Sequence, residues 1–278
     1  MTDTETAPRP KWATAITTPK QDALPKSIYI HGMPGSRKTS TAASISQVEG
    51  VGDKVLLIDV DFGAEVLAQN PLYDGIEILQ IDPLDEGKDG SGEKVAMDAF
   101  EKINMVINDI TTTDYGYTAV ILDPLSIAQD VAERHFKAAY ATAANSGKQD
   151  GFKIWSELGE WTDSTVRRLH TCPYFTAIIT THSTEQKADS GAYRILPKLS
   201  GSSKESIASI PSIVMHLGFA QHPETGVRHS LATLGGSDVI QSKNRYGLPD
   251  QMVDVDMPKL YTLIRERVGK PADSTTTK

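Results

Sequence analysis

Residues 28–40 read IYIHGMPGSRKTS, and the types and spacing in this run suit one kind of chemistry. Gripping a polyphosphate takes glycines that let backbone N–H groups curl around an anion, a helix N-terminus aimed at it, and a Lys-Ser/Thr pair for the β/γ-phosphates and Mg²⁺. Gly32 and Gly35 supply the turn, and Lys38 and Thr39 stand at the required spacing from Gly32. Gly32, Met33, Pro34, Gly35, Ser36, Arg37, Lys38, Thr39 and Ser40 are therefore the expected nucleotide-binding residues, with ATP and Mg²⁺ as the expected cofactors. Arg37 stands where the usual pattern has glycine. Its side chain must point away from the phosphate, crowd it, or add a guanidinium contact.

Three further strand-like runs end in groups that such a site needs. TAVILD ends in Asp123, which with Thr39 is expected to hold Mg²⁺, the carboxylate acting through water. The alternative is an aspartate that only opens the following DPLS turn. KVLLIDVDFGAE offers Asp59 and Asp61. Asp61 is placed to orient an attacking water, with Glu65 as its substitute and Asp59 as a turn cap. FTAIITTHS closes in Thr180, Thr181 and His182, polar groups able to sense a γ-phosphate, although a lone histidine is commonly structural. His31, just before the loop, reads as a satisfied strand-end residue.

Elements that could position these groups follow from the apolar pattern. Strands are expected at 27–31, 54–59, 76–81, 118–123, 174–181, 211–220, 228–234 and 238–242. The first five are nearly continuously apolar, as in a parallel sheet buried on both faces. Amphipathic helices are expected at 38–48, 93–110, 127–141 and 154–170, the last with Trp155 and Trp161 as core or subunit packing. Alternation of strand and helix predicts an α/β fold with a mainly parallel central sheet flanked by helices. The last three strands, separated by HPETG and LGGSD, predict antiparallel hairpins extending one edge. Residues 1–25 and 269–278 read as disordered polar tails around a core at 26–268. Polar stretches at 85–93, 142–151 and 183–206 read as long loops.

Bulk composition narrows the classes. The chain has 278 residues, is 39 % hydrophobic and 23 % charged, and has a mean hydropathy of -0.30, as ordinary globular proteins do. A formal net charge of -8 argues against a broadly basic surface, so nucleic-acid binding would need a local groove or several subunits. The single Cys172 reads as a small buried hydrophobe, consistent with a reducing cytoplasm. No apolar run has membrane-spanning length, so no membrane partner is expected.

Taken in order, the phosphate loop, the acid ending the next strand, the strand closing in Asp123, the TTH strand end and SKNRYG (242–247) resemble RecA-type ATPases. KNRYG is similar to the KNRFG motif of the RadA branch, and the stretch 28–267 resembles the compact, phage-associated RecA-core ATPases of the AAA_24 type, several of which anneal single-stranded DNA. That resemblance implies a RecA-like ATPase core and a nucleotide lying between subunits of a ring or filament. It also implies Lys243 and Arg245 as basic groups reaching a neighbour's γ-phosphate. Lys38, Asp61, Asp123, His182, Lys243 and Arg245 then form the expected catalytic set. Asp61 replaces a longer glutamate, which implies slow hydrolysis.

The implied function is ATP-dependent binding of single-stranded DNA that promotes annealing or recombination, with a single-strand-binding protein as a possible partner and the cytoplasm of a bacterial host as the place. The DNA would lie on loops carrying Lys148, Lys153, Lys187, Tyr193, Arg194, Lys198 and Lys204, whose basic and aromatic mixture suits phosphate neutralisation and base stacking. Two alternatives stay open: an ATP-gated DNA-binding module with little hydrolysis, and a P-loop enzyme acting on a small molecule.

Overall fold

Runs of β-branched residues separated by amphipathic stretches build one sheet with helices on both faces. The computed structural model describes residues 24–143, 151–187, 191–221 and 224–268. In chain order the elements are β1 (Ser27–Gly32), α1 (Lys38–Ala43), β2 (Val55–Asp59), β3 (Ile76–Gln80), α2 (Ala99–Thr112), β4 (Ala119–Asp123), α3 (Leu125–Ala143), α4 (Gly151–Thr171) and β5 (Thr176–Lys187). They continue with β6 (Tyr193–Pro197), α5 (Ser203–Ser206), β7 (Ile213–Gln221), β8 (Arg228–Thr233), β9 (Lys243–Asn244), β10 (Gln251–Val253) and α6 (Met257–Arg267).

The sheet runs β10-β8-β7-β1-β5-β4-β2-β3, with β6 paired to β5 and β9 to β7. The six strands from β7 to β3 are mutually parallel, whereas β8 and β10 add antiparallel at the other edge. This is the mainly parallel α/β sheet with antiparallel edge strands that the alternation predicts.

Because side chains alternate across a strand, β1 feeds two cores. Ile28 and Ile30 pack with Ala42, Leu260, Tyr261 and Ile264 under α1 and α6. Tyr29 packs on the opposite face with Ile103, Val131, Leu158 and Val166 from α2, α3 and α4. Cys172 is buried in that second core, as expected. Trp161 packs against it and donates its indole N–H to Asn104 Oδ1 at 2.7 Å, while Trp155 is exposed. Among the described residues no helix is long and apolar enough to cross a membrane.

Several expectations are corrected. The run 211–220 forms the expected antiparallel hairpin with β8, but on its other side β7 lies parallel to β1, so it belongs to the parallel part of the sheet as well. The expected strand at 238–242 forms only an isolated bridge, Ile240 to Ile195, and the antiparallel edge is closed by β10 instead. The run 76–81 is not buried on both faces, because β3 sits at the sheet edge and only Ile76 of its five residues is buried. The helix expected at 93–110 starts at Ala99, where Asp98 and Glu101 form a reciprocal capping box. The helix expected at 38–48 is α-helical to Ala43 and tightens to a 3₁₀ turn over Ser44–Gln47. Within the expected loop 183–206, β5 runs on to Lys187 and pairs with β6.

Candidate nucleotide site

Parallel strands deliver their carboxyl ends to one edge of a sheet, where open α/β sheets place their ligands. Here that edge gathers Gly32 from β1, Asp59 from β2, Asp123 from β4 and Thr180 to His182 from β5. Thr39, at the start of α1, donates its hydroxyl to Asp123 Oδ2 at 2.6 Å. Thr180 donates to the other carboxylate oxygen in a short hydrogen bond. Burial pushes the Asp123 carboxyl up from its ordinary value, and these two hydroxyls oppose the shift.

The phosphate loop is shaped as its motif requires. A side chain at Gly32 would meet the Leu217 carbonyl oxygen at 2.4 Å and Ser36 Oγ at 2.5 Å, so only glycine fits there. Gly35 has φ 77°. Lys38 donates its ammonium to the carbonyls of Gly32 (3.1 Å) and Met33 (3.0 Å). Burial lowers the pKa of Lys38, and the charges of Asp123 and Asp61 hold it up. Arg37 adopts φ 69° and ψ 23°, the left-handed conformation that glycine favours, and is exposed between buried Ser36 and buried Lys38. A non-glycine residue there carries strain of about 1–2 kcal/mol.

These residues fit a nucleotide with Mg²⁺. The hydroxyl of Ser36 is buried against the loop without a hydrogen-bond partner, as a donor kept for an anion would be. Thr39 and Asp123 offer the hard oxygen donors that Mg²⁺ takes alongside phosphate and water. Among the described residues no group of three or more His, Cys, Asp or Glu could cage a metal by itself.

The acids on β2 divide their roles. Asp59 accepts the N–H groups of Asp61 (3.3 Å), Gly63 (3.1 Å) and Ala64 (3.1 Å), so it caps the turn after the strand. Asp61 projects from that turn, and partial burial followed by the charge of Asp123 pushes its carboxyl up to about 6. Glu65 lies in the 3₁₀ turn that follows and is exposed. On β5, His182 lies within 3.0 Å, through Nδ1, of Ser126 Oγ. Burial, then Lys38 and Lys198, lowers His182 to about 4, so its ring is neutral at pH 7. Ser126 was not singled out from the sequence, although its place in the DPLS turn after Asp123 was the available signal.

Lys243 and Arg245 lie elsewhere. Asn244 pairs with Ile213, and Ile213 with Ile28, whereas the phosphate loop begins at Gly32. Four residues of strand separate the two levels, about 13 Å. Lys243 donates to the carbonyls of Ala208 (3.3 Å), Ser209 (2.5 Å) and Pro211 (2.7 Å) of the same chain. Burial, then Arg245, lowers it to about 8. Arg245 is exposed, and with Lys26 it bears on His170, whose pKa burial already lowers.

The DNA-binding candidates divide as well. Lys148 lies outside the described residues. Lys153 stands on α4 with its ammonium 4.9 Å from the Tyr140 ring. Lys187 pairs across the β5–β6 hairpin with Tyr193, which is 61 % exposed, so the fold brings a cation and an aromatic together. Arg194 is 3.7 Å from Glu205. Lys198 is exposed and its backbone N–H donates to the His182 carbonyl at 2.7 Å, while Lys204 lies on α5.

No curated protein matches the chain. The model of one family, described as AAA domain (AAA_24), matches residues 24–246. That match covers most of the chain and includes the phosphate loop, Asp123 and the sheet edge that joins them, so the protein belongs to the AAA_24 family, a P-loop ATPase type.

Proposed function

We propose that the chain is a Mg²⁺-dependent, RecA-like ATPase that binds single-stranded DNA and promotes annealing or recombination as a ring or filament. The observation that carries the ATPase part is the junction of Thr39, Asp123 and Thr180 beside the Lys38 loop. Lys38 exchanges the carbonyls of Gly32 and Met33 for phosphate oxygens, so binding replaces one set of partners with another. Mg²⁺, held by Thr39 and through water by Asp123, would neutralise charge on the phosphates. Asp61 takes the proton of the attacking water as its oxygen bonds to the γ-phosphorus. The bond from that phosphorus to the bridging oxygen breaks, and its electron pair leaves with ADP.

The position of Arg245 supports an assembly. It lies at the opposite end of the strands from the loop of its own subunit, so only a neighbour stacked head to tail could present it to a γ-phosphate. Lys243, engaged with three carbonyls, is a support for that segment, leaving Arg245 as the finger. Paired Lys187 and Tyr193 on the β5–β6 hairpin favour single-stranded DNA as the partner, through phosphate contact and stacking.

Mg²⁺-ATP hydrolysis measured across protein concentration, with and without single-stranded DNA, tests this reading. DNA stimulation that steepens with concentration supports it. A flat, DNA-blind rate would point to a small-molecule enzyme, and ATP binding without turnover to a gated binding module. Mixing Asp123→Ala with Arg245→Ala subunits should restore part of the activity that each lacks, because only a trans arrangement rebuilds one complete site.

A further inference from the structure

We propose that His31 is a positioning residue that ties the phosphate loop to the hairpin and the segment carrying the exposed basic groups, so that nucleotide occupancy is felt at both. The inference rests on the nucleotide-binding reading above but not on the identity of the DNA partner.

His31 is fully buried at the end of β1, one residue before Gly32. Its Nε2 lies 2.6 Å from the backbone carbonyl oxygen of Gln241. A carbonyl only accepts, so Nε2 carries the proton. Nδ1 is then a lone pair, and it accepts the Ser183 hydroxyl at 2.9 Å. Both ring nitrogens are thereby used, and the tautomer is fixed by the protein. Burial, then the neighbouring His216, whose ring lies 5.0 Å away, keeps the imidazole neutral.

The two partners belong to different structures. Ser183 follows His182 directly and pairs with Pro197, at the base of the β5–β6 hairpin that ends in Lys187 and Tyr193. Gln241 leads into β9 and hence into Lys243 and Arg245. These two structures also hold each other: Ile195 donates to the Val239 carbonyl at 2.6 Å, and Gln241 donates to the Ile195 carbonyl at 3.1 Å. His31 thus closes a triangle of three chain segments at the level of the phosphate loop. A residue needed only to satisfy a strand end would not require two partners 152 and 210 positions away.

The bistable element is the Lys38 grip. With Lys38 on the Gly32 and Met33 carbonyls, the peptide next to His31 is held from the loop side. Once the ammonium moves to phosphate, the peptide next to His31 is held through the bound ligand instead, and the His31 ring links that peptide by buried side-chain hydrogen bonds to both Ser183 and Gln241.

Hydrogen exchange of the full chain, with and without Mg²⁺ and a non-hydrolysable ATP analogue, tests the proposal. In the native protein the analogue should slow exchange at 32–40 and, by about tenfold, at 183–187, 193–197 and 239–244. His31→Phe should keep the response at 32–40 and lose the distal ones, and His31→Gln, which can still donate to Gln241, should recover 239–244. Ser183→Ala is the milder variant, expected to lose the hairpin response alone. Distal protection that survives in folded His31→Phe, or distal segments that ignore the analogue while 32–40 responds, would overturn the proposal. No response at 32–40 in the native chain would overturn the nucleotide reading and this inference with it.

Discussion

Thr39 and Asp123, 84 positions apart in the chain, are joined by a 2.6 Å hydrogen bond across the floor of the phosphate loop. A hydroxyl at the start of a helix and a carboxylate at the end of a buried strand meet only if strand, loop and helix are all in register. The expected consequence is that Thr39→Ala and Asp123→Asn each lower Mg²⁺-ATP turnover by about 10²-fold or more, the scale of losing one preorganised contact. Thr39→Ser should retain most of it. Intact turnover in both of the first two variants would remove the site assignment.

Arg37 occupies a left-handed conformation at φ 69°. Arg37→Gly relieves strain but frees the unfolded chain, for an expected net gain of about 0.5–1 kcal/mol. That should read as a rise of about 1–4 °C in Tm. Arg37→Ala removes the same charge and keeps the strain, so it should show no such rise. Equal shifts in the two variants would assign the effect to charge.

Asp61 carries a carboxyl raised to about 6. Its unfolded value is lower, so between about pH 4 and 6 the folded chain binds more protons, and this group's contribution to stability falls as pH rises through that window. Asp61→Asn should therefore stabilise the protein above pH 6, by less than about 1 kcal/mol because solvent screens an exposed group, and leave it unchanged near pH 4. Turnover should rise with pH through about 6 in the native protein, as the base is freed. Asp61→Asn should lower it by about 10²-fold or more. Denaturant titrations and rate profiles at matched pH decide both points.

Lys243 holds three carbonyls of the 208–211 turn. Lys243→Met should cost about 1–3 kcal/mol of stability, the scale of charged hydrogen bonds. Arg245→Ala, at an exposed position, should leave stability within about 0.5 kcal/mol. Chemical denaturation separates the two, and similar losses would mean that Arg245 also has a structural partner.

Much of this was legible in the residues themselves. Gly32, Lys38 and Thr39 announce their chemistry because the loop is local, and TAVILD announces Asp123 because burial on both faces leaves an unmistakable apolar run. Edge position was not legible: IEILQI reads like a central strand, yet it lies outermost, since strand order is set by crossovers and not by composition. The direction of β7 was hidden for a similar reason, because its partner β1 lies some 180 residues earlier. Helix α6 was missed although Asp256 accepts the Lys259 N–H at its start and Leu260, Tyr261 and Ile264 fall on one face. The three carbonyls that Lys243 engages were not legible either, because backbone carbonyls carry no sequence signal.

The strand that carries the phosphate loop is flanked by parallel partners on both sides, β5 and β7, with the open edges of the sheet at β3 and β10. It cannot leave without dividing the sheet, so a bound nucleotide is anchored to the unit whose loss is the unfolding of the domain. Ligand affinity is therefore converted into protection of the whole chain: at 100 times its dissociation constant, a nucleotide would add about 2.7 kcal/mol to the global stability. The cellular nucleotide pool would in this way set how long each copy survives, as well as what it does.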